Sequence, residues 1–191
     1  MSRLTTLVLA AALPLPALAD PIDARSARDL LFRGGDVEVI QVDMAGLSEQ
    51  EITVLTTVAR TQKYYAAIAF APAQGIMAEP TVMAANHHSP ESARAAALAG
   101  CNERRGRSGR ACVIALEVRP EGWEERDLML SIDATEAFND EYRRRRGTRA
   151  FAGSALTGQW GIGLGDGAAE SAIAACRGDT EVSDCAVLIE D

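Results

Sequence analysis

Both histidines of the chain stand side by side at His87 and His88, just ahead of a segment that reads as a helix start. Imidazoles serve as metal ligands or as acid–base groups near neutral pH, and Glu79 or Glu91 would be the nearby carboxylates to assist them. Neighbouring side chains on an extended segment point to opposite faces, so His87 and His88 grip one metal only if the backbone bends. A solvated loop is the simpler reading of the pair. The second chemically active set is the four cysteines, Cys101, Cys112, Cys176 and Cys185. No C-x-x-C spacing occurs among them, which argues for two disulfides in an oxidising compartment rather than for a zinc site.

Arg143, Arg144, Arg145 and Arg146, with Arg149 close behind, form the strongest local charge on a chain whose formal net charge is -8. Cations at a helix C-terminus complement its dipole, which accounts for part of the run. The functional version is an anion site for lipid headgroups, a polyanionic glycan or an acidic partner. Gly163, Gly165 and Ala168 match the G-x-G-x-x-A dinucleotide fingerprint, but the strand ahead of them reads as the return arm of a hairpin. Alternating glycines there suit the close approach of another backbone. Ser154 lacks the nucleophile-elbow spacing, and no Ser-His-Asp order, metalloprotease motif or framed pair of carboxylates is present. These residues assign no catalytic group, no metal and no cofactor.

The elements that must carry these residues are organised around two similar stretches, Ser89 to Cys112 and Asp166 to Cys185. In the first, Ala93, Ala97 and Cys101 share one helical face; in the second, Ala168, Ala172 and Cys176 repeat the spacing. A second cysteine then opens an apolar run in each, Cys112 to Glu117 and Cys185 to Glu190. Sequence permits three disulfide pairings, and the repetition favours Cys101 with Cys112 and Cys176 with Cys185. Ahead of each helix stands a hairpin, with Ala67-Ile68-Ala69 as far before Gly75 as Ala150-Phe151-Ala152 is before Gly158. The first copy has 26 residues from turn glycine to helix cysteine and the second 18, an insertion placed around Pro80 to His88.

Residues 1–19 read as an export leader: Arg3, an apolar run from Leu4 to Leu13, and Ala17-Leu18-Ala19 before Asp20. No later apolar run approaches the ~18 residues that cross a membrane. The acidic balance repels phosphate backbones and disfavours nucleic acid as a partner. The remaining chain fits one compact domain in three stretches: a helix-strand-helix extension over 20–63, a first unit with its connector over 64–127, and a linker helix with the second unit over 128–191.

Along it, the residues predict a helix from Asp20 to Phe32 stopped at Gly34-Gly35, a strand from Val37 to Val42, and a capping box at Ser48 to Glu51 opening the next helix. A return strand from Ile76 to Asn86 is interrupted by Pro80, and Ser89 caps a helix from Pro90 to Cys101. Leu128 to Ile132 reads as a short strand, Asp133 to Glu136 as a capping box for a helix through Tyr142, and Asp166 as the last helix cap.

Tyr64 to Val118 and Arg149 to Asp191 resemble a family of small secreted bacterial domains of unknown function. Its pattern is A-[aromatic or aliphatic]-A, a turn glycine, a glycine-rich or aromatic strand, an Ala-rich helix ending in cysteine, and a cysteine opening a strand. The whole chain is also similar to short exported alphaproteobacterial proteins that sometimes carry the label 5-aminolevulinate synthase. That label implies pyridoxal phosphate on a lysine Schiff base, for which Lys63 is the only lysine, and it follows a predicted surface helix with no phosphate cup beside it.

The expectation is an α+β domain with duplicated hairpin-helix-strand units, an antiparallel sheet and one disulfide per unit. Its function is that of a periplasmic or secreted non-enzymatic module binding a protein or envelope component, with a weak anionic-surface contact. The alternative is a small periplasmic enzyme with its site near His87 and His88.

Overall fold

The computed structural model describes residues 20–44, 46–106 and 109–191, so the predicted leader lies outside the described residues. The fold is mixed α+β, with two antiparallel sheets. Its elements run α1 (Ala24–Leu30), β1 (Val37–Gln41), α2 (Glu49–Ala59), β2 (Ala66–Phe70), β3 (Val82–Ala84), α3 (Pro90–Arg105) and β4 (Val113–Pro120). There follow α4 (Ile132–Asp140), a 3-10 turn at Tyr142–Arg144, β5 (Arg149–Ser154), β6 (Trp160–Leu164), α5 (Ala168–Arg177) and β7 (Cys185–Glu190).

One sheet has the order β1-β4-β2-β3 and the other β6-β5-β7. The first strand of each hairpin is central in its sheet, between its return arm and the strand that follows the helix. Register agrees in detail. Ile68 faces Leu116 and Ala69 faces Ile114, leaving Ala115 over; Phe151 faces Ile189 and Ala152 faces Val187, leaving Leu188 over. An extra residue on one strand kinks and twists the pair, and here it falls at the corresponding place in both sheets.

Each sheet is covered on both faces. In the first unit Ala67 and Ala69 pack against Ala93, Ala97 and Cys101 of α3, while Ile68, Phe70 and Leu116 pack against Leu55 and Ala59 of α2. In the second, Ala150 and Ala152 meet Ala168, Ala172 and Cys176 of α5, and Phe151 and Ile189 meet Phe138 and Tyr142. Period-2 alternation on the central strand therefore sends alanines to one helix and larger side chains to the other. The cysteines are paired as Cys101–Cys112 and Cys176–Cys185, each with Cα atoms 6.1 Å apart.

The helix before each hairpin also corresponds. Ser48 caps α2 eighteen residues before the start of β2, and Ser131 caps α4 eighteen residues before the start of β5. Sequence assigns these helices to an extension and a linker, and their like placement is not visible there because the buried Leu55 and Ala59 share no residue type with Phe138 and Tyr142. The extension itself divides: β1 and α2 join the first unit, whereas α1 packs Ala27 and Leu31 with Phe138, Phe151 and Ile189 of the second.

Several boundaries differ from expectation. Leu128 to Ser131 pairs with no strand among the described residues and leads into α4, whose cap is Ser131 accepting from the Ala134 amide; Asp133 is spent on Lys63 and Asn86 rather than on a capping box at Asp133 to Glu136. The return arm shrinks to Val82–Ala84, since Pro80 and the turns before it cannot join a ladder. α3 runs on to Arg105, α1 stops at Leu30 ahead of Gly34-Gly35, and α5 is preceded by Gly167 in the left-handed region rather than by a capping Asp166.

The inserted residues are split as well. Twelve residues separate Ala69 from Val82 against eight between Ala152 and Gly161, and ten separate Val82 from Ala93 against six between Gly161 and Ala168. The second half of that insertion carries His87 and His88.

Candidate functional site

The loop before α3 runs between the two units. Asn86, with φ at 62°, places its backbone where a Cβ on Gly158 would be 1.8 Å from the Asn86 carbonyl, so only glycine allows the hairpin turn to close on it. The Asn86 side chain donates to Asp133 at 2.9 Å and accepts from the Asp133 amide at 3.3 Å. Asp133 in turn holds Lys63 at 2.5 Å.

His88 is 5% exposed. Its Nε2 lies 2.9 Å from the Gln159 carbonyl and its Nδ1 3.0 Å from the Ser131 amide. A carbonyl only accepts and an amide N–H only donates, so the ring is the neutral tautomer with its proton on Nε2. Burial, which disfavours the imidazolium, pushes its pKa down to about 4. His87 is partly buried and shifted the same way by burial; its Nδ1 is buried with no hydrogen-bond partner among the described residues. Neither Glu79 nor Glu91 hydrogen-bonds to either ring among the described residues, and Glu91 pairs with Arg94.

A cleft of about 230 Å³ gathers His88 with Ser154 and Asp184. The types are those of a hydrolytic centre, but the connections are not. Ser154 Oγ donates directly to Asp184 Oδ1 at 2.8 Å and accepts from the Thr157 amide at 3.1 Å, while Asp184 Oδ2 accepts from the Leu156 amide at 2.9 Å. A general base needs a free imidazole nitrogen facing the nucleophile, and both nitrogens of His88 are bound to backbone. These bonds shape the turn between β5 and β6 and join the units. Among the described residues no group of three His, Cys, Asp or Glu is placed to hold a metal ion.

The other predicted residues fall as follows. Of the fingerprint glycines, Gly163 serves packing, since a Cβ there would stand 1.9 Å from the Ala168 carbonyl, and Gly165 turns the chain at φ +72°; ahead of them a Cβ on Gly161 would stand 2.3 Å from the Cys176 amide nitrogen. In the first unit the small residue is on the helix instead, where Gly100 meets Val82. Lys63 has its pKa raised by its hydrogen bond to Asp133, the opposite of what a Schiff-base lysine requires.

No family model, curated protein or solved structure matches the chain, so the site rests on its own geometry.

That geometry is richest in arginine. Arg25 and Arg28 of α1 meet Arg143 and Arg149 around a cleft of about 210 Å³. Arg28 and Arg143 extend into a second of about 270 Å³ with Arg33, Phe32 and Asn139. Arg149 is paired with Asp191 at 3.1 Å and Arg143 hydrogen-bonds to Asn139, a neutral partner. Among the described residues Arg25, Arg28, Arg33 and Arg143 have no carboxylate partner.

The four-arginine run is thereby redistributed. Arg143 joins the cleft, Arg144 pairs with Asp140 at 2.8 Å, and Arg145 and Arg146 are exposed outside it. Sequence reading missed α1 as the other wall because more than a hundred residues separate it from Arg143. The available signal was Arg25 and Arg28 at i and i+3, one helical face.

Proposed function

We propose that the protein is an exported, non-enzymatic binding module, periplasmic or secreted, that engages an anionic component of the cell envelope through its arginine face. The observation that carries the reading is a pair of clefts sharing Arg28 and Arg143, one lined also by Arg25 and the other by Arg33, in which none of the four has a carboxylate partner among the described residues, on a chain of net charge -8. Fixed cations clustered at a cleft attract anions, and guanidinium forks bind phosphate and carboxylate in pairs of hydrogen bonds. The two disulfides support export, since such bonds persist in oxidising compartments, and among the described residues no helix is long and apolar enough to cross a membrane. We read the two units as degenerate copies of one helix-hairpin-helix-strand module, in line with the small secreted domains that the sequence resembles.

Co-sedimentation tests this. The protein should bind vesicles containing phosphatidylglycerol at low ionic strength, lose them as salt rises, and ignore phosphatidylcholine. Replacing Arg25, Arg28, Arg33 and Arg143 with glutamine should abolish binding while leaving the thermal transition in place; unchanged binding by that variant contradicts the assignment. The enzyme reading requires at His88 an imidazole nitrogen released from backbone, and at His87 an acid or nucleophile brought within reach of Nδ1, which has no partner among the described residues.

A further inference from the structure

The two units differ on the outer edge of their last strand. In the first, β1 lies antiparallel on β4 from Val37 opposite Pro120 to Gln41 opposite Leu116. The chain then continues along that edge, Val42 N–H donating to the Ala115 carbonyl at 2.9 Å and Asp43 N–H to the Ile114 carbonyl at 3.1 Å. In the second, Ile22 bridges Ile189 in the parallel sense, its N–H donating to the Leu188 carbonyl at 3.1 Å, as Val42 does to Ala115, and its carbonyl accepting from the Glu190 N–H at 3.0 Å, so the edge is covered from Leu188 onward. There the correspondence stops. Val187 faces Ala152 as Ile114 faces Ala69, yet nothing among the described residues stands to it as Asp43 stands to Ile114.

Val187 turns its peptide groups outward. Ser154 N–H donates to Gln159 on the β6 side, so by alternation along β5 the groups of Ala152 also face β6, and those of Val187 opposite it face away from the sheet. Asp43 stands five residues before the Ser48 cap; the residue five before the Ser131 cap is Arg126. Arg126 turns instead to α1, donating to the Leu30 carbonyl at 2.9 Å with its guanidinium over Phe32. What remains between its segment and β7 is a groove of two adjoining clefts, about 230 and 200 Å³, that share Asp127, Leu128, Ala186 and Leu188. Met129 extends the apolar lining on one side and Ile22 on the other; Asp20, Asp127 and Asp184 add negative charge, while Arg126, which also lines the first cleft, is paired with Glu124 at 3.0 Å.

We propose that the open edge of β7 accepts an extended segment of a partner protein as an added strand, with apolar side chains in the two clefts and a lysine or arginine toward Asp127. Strand addition combines main-chain hydrogen bonds with pockets for alternate side chains, and this groove supplies both in the place that the chain's own segment fills in the first unit. The carboxylates select a basic partner over a second copy, which would bring the same charges against them. The site is separate from the arginine face and stands whether or not that face binds anions.

The probe is an eight-residue peptide of alternating valine and threonine with lysine at both ends, titrated into ¹⁵N-labelled protein. Amide shifts should be confined to Asp184 through Leu188, Ile22 and Leu128, with hydrogen exchange at Val187 slowed. N-methylation of the peptide's protein-facing amides should abolish binding, and glutamate in place of lysine, or Asp127→Asn in the protein, should weaken it by roughly three- to tenfold. The glutamine variant of the arginine face should bind the peptide unchanged, so failure here and failure of the anion reading are told apart. Absence of shifts, shifts on another face, undiminished binding of the methylated peptide, or a peptide-independent dimer protecting the same amides would overturn the proposal.

Discussion

The amide of Ser131 donates to Nδ1 of His88 across 3.0 Å, while Nε2 of the same ring donates to Gln159, so one neutral imidazole joins the loop before α3 to both the helix start and the hairpin turn of the second unit. Protonation would place a second donor against the Ser131 N–H. The folded pKa is about 4 and the unfolded value about 6.5, so the unfolded chain binds the proton first as pH falls. Stability is therefore unaffected above about pH 6.5 and declines through the window down to about pH 4, by on the order of 3 kcal/mol for this group, with His87 adding in the same direction. Urea unfolding at several pH values should show this slope, and His88→Gln should flatten it between pH 5 and pH 6.5, above the range where carboxylates titrate.

Glycine at Gly163 is required by the Ala168 carbonyl, which a Cβ would approach to 1.9 Å. Gly163→Ala must push α5 off its sheet and should cost about 3 kcal/mol. Gly35, with no atom within 4 Å of a built Cβ, is the control, and Gly35→Ala should change stability by less than about 0.5 kcal/mol. A thermal melt compares the two.

Glu117 is 2% exposed and accepts from Arg94 at 2.9 Å and Arg119 at 2.6 Å. Removing the carboxylate strands Arg119, stacked 4.4 Å from the Trp123 ring centre, and leaves Arg94 only its pairing with the exposed Glu91. Glu117→Ala should destabilise the fold by about 3 kcal/mol, and Glu117→Met, which fills the space without charge, should cost no less while both arginines remain.

Each disulfide closes a short loop, with sequence separations of 11 and 9. Converting either pair to alanine should remove roughly 2 to 3 kcal/mol on the chain-entropy account. Alkylation with mass detection should show that loss of Cys101 frees the thiol of Cys112 and leaves Cys176 and Cys185 protected.

Much of this architecture was legible because the code that specifies it is local. Ser89 with Pro90, the capping box at Ser48, and the i, i+4, i+8 spacing of Ala93, Ala97 and Cys101 each act within a few residues. The like placement of α2 and α4, each capped eighteen residues ahead of a central strand, was hidden because Leu55 and Ala59 pack an aliphatic layer, whereas Phe138 and Tyr142 stack beside Phe151 and Trp160. The strand read at Leu128 failed for a tertiary reason: a short apolar run is common to a strand and to a core segment, and Leu128 and Leu130 are buried against α1 and α4. The roles of His88 and of the α1 arginines depend on partners brought together only by folding, and no periodicity announces them.

The central claim is that four guanidiniums act as one anion site. Titrating inorganic phosphate into the labelled protein at low ionic strength while following arginine side-chain Nε–H resonances tests it most directly. Arg25, Arg28, Arg33 and Arg143 should shift together along one saturating curve, with Arg104 and Arg144 still. Equal, non-saturating drift of all arginines, or movement of Arg145 and Arg146 alone, would contradict it.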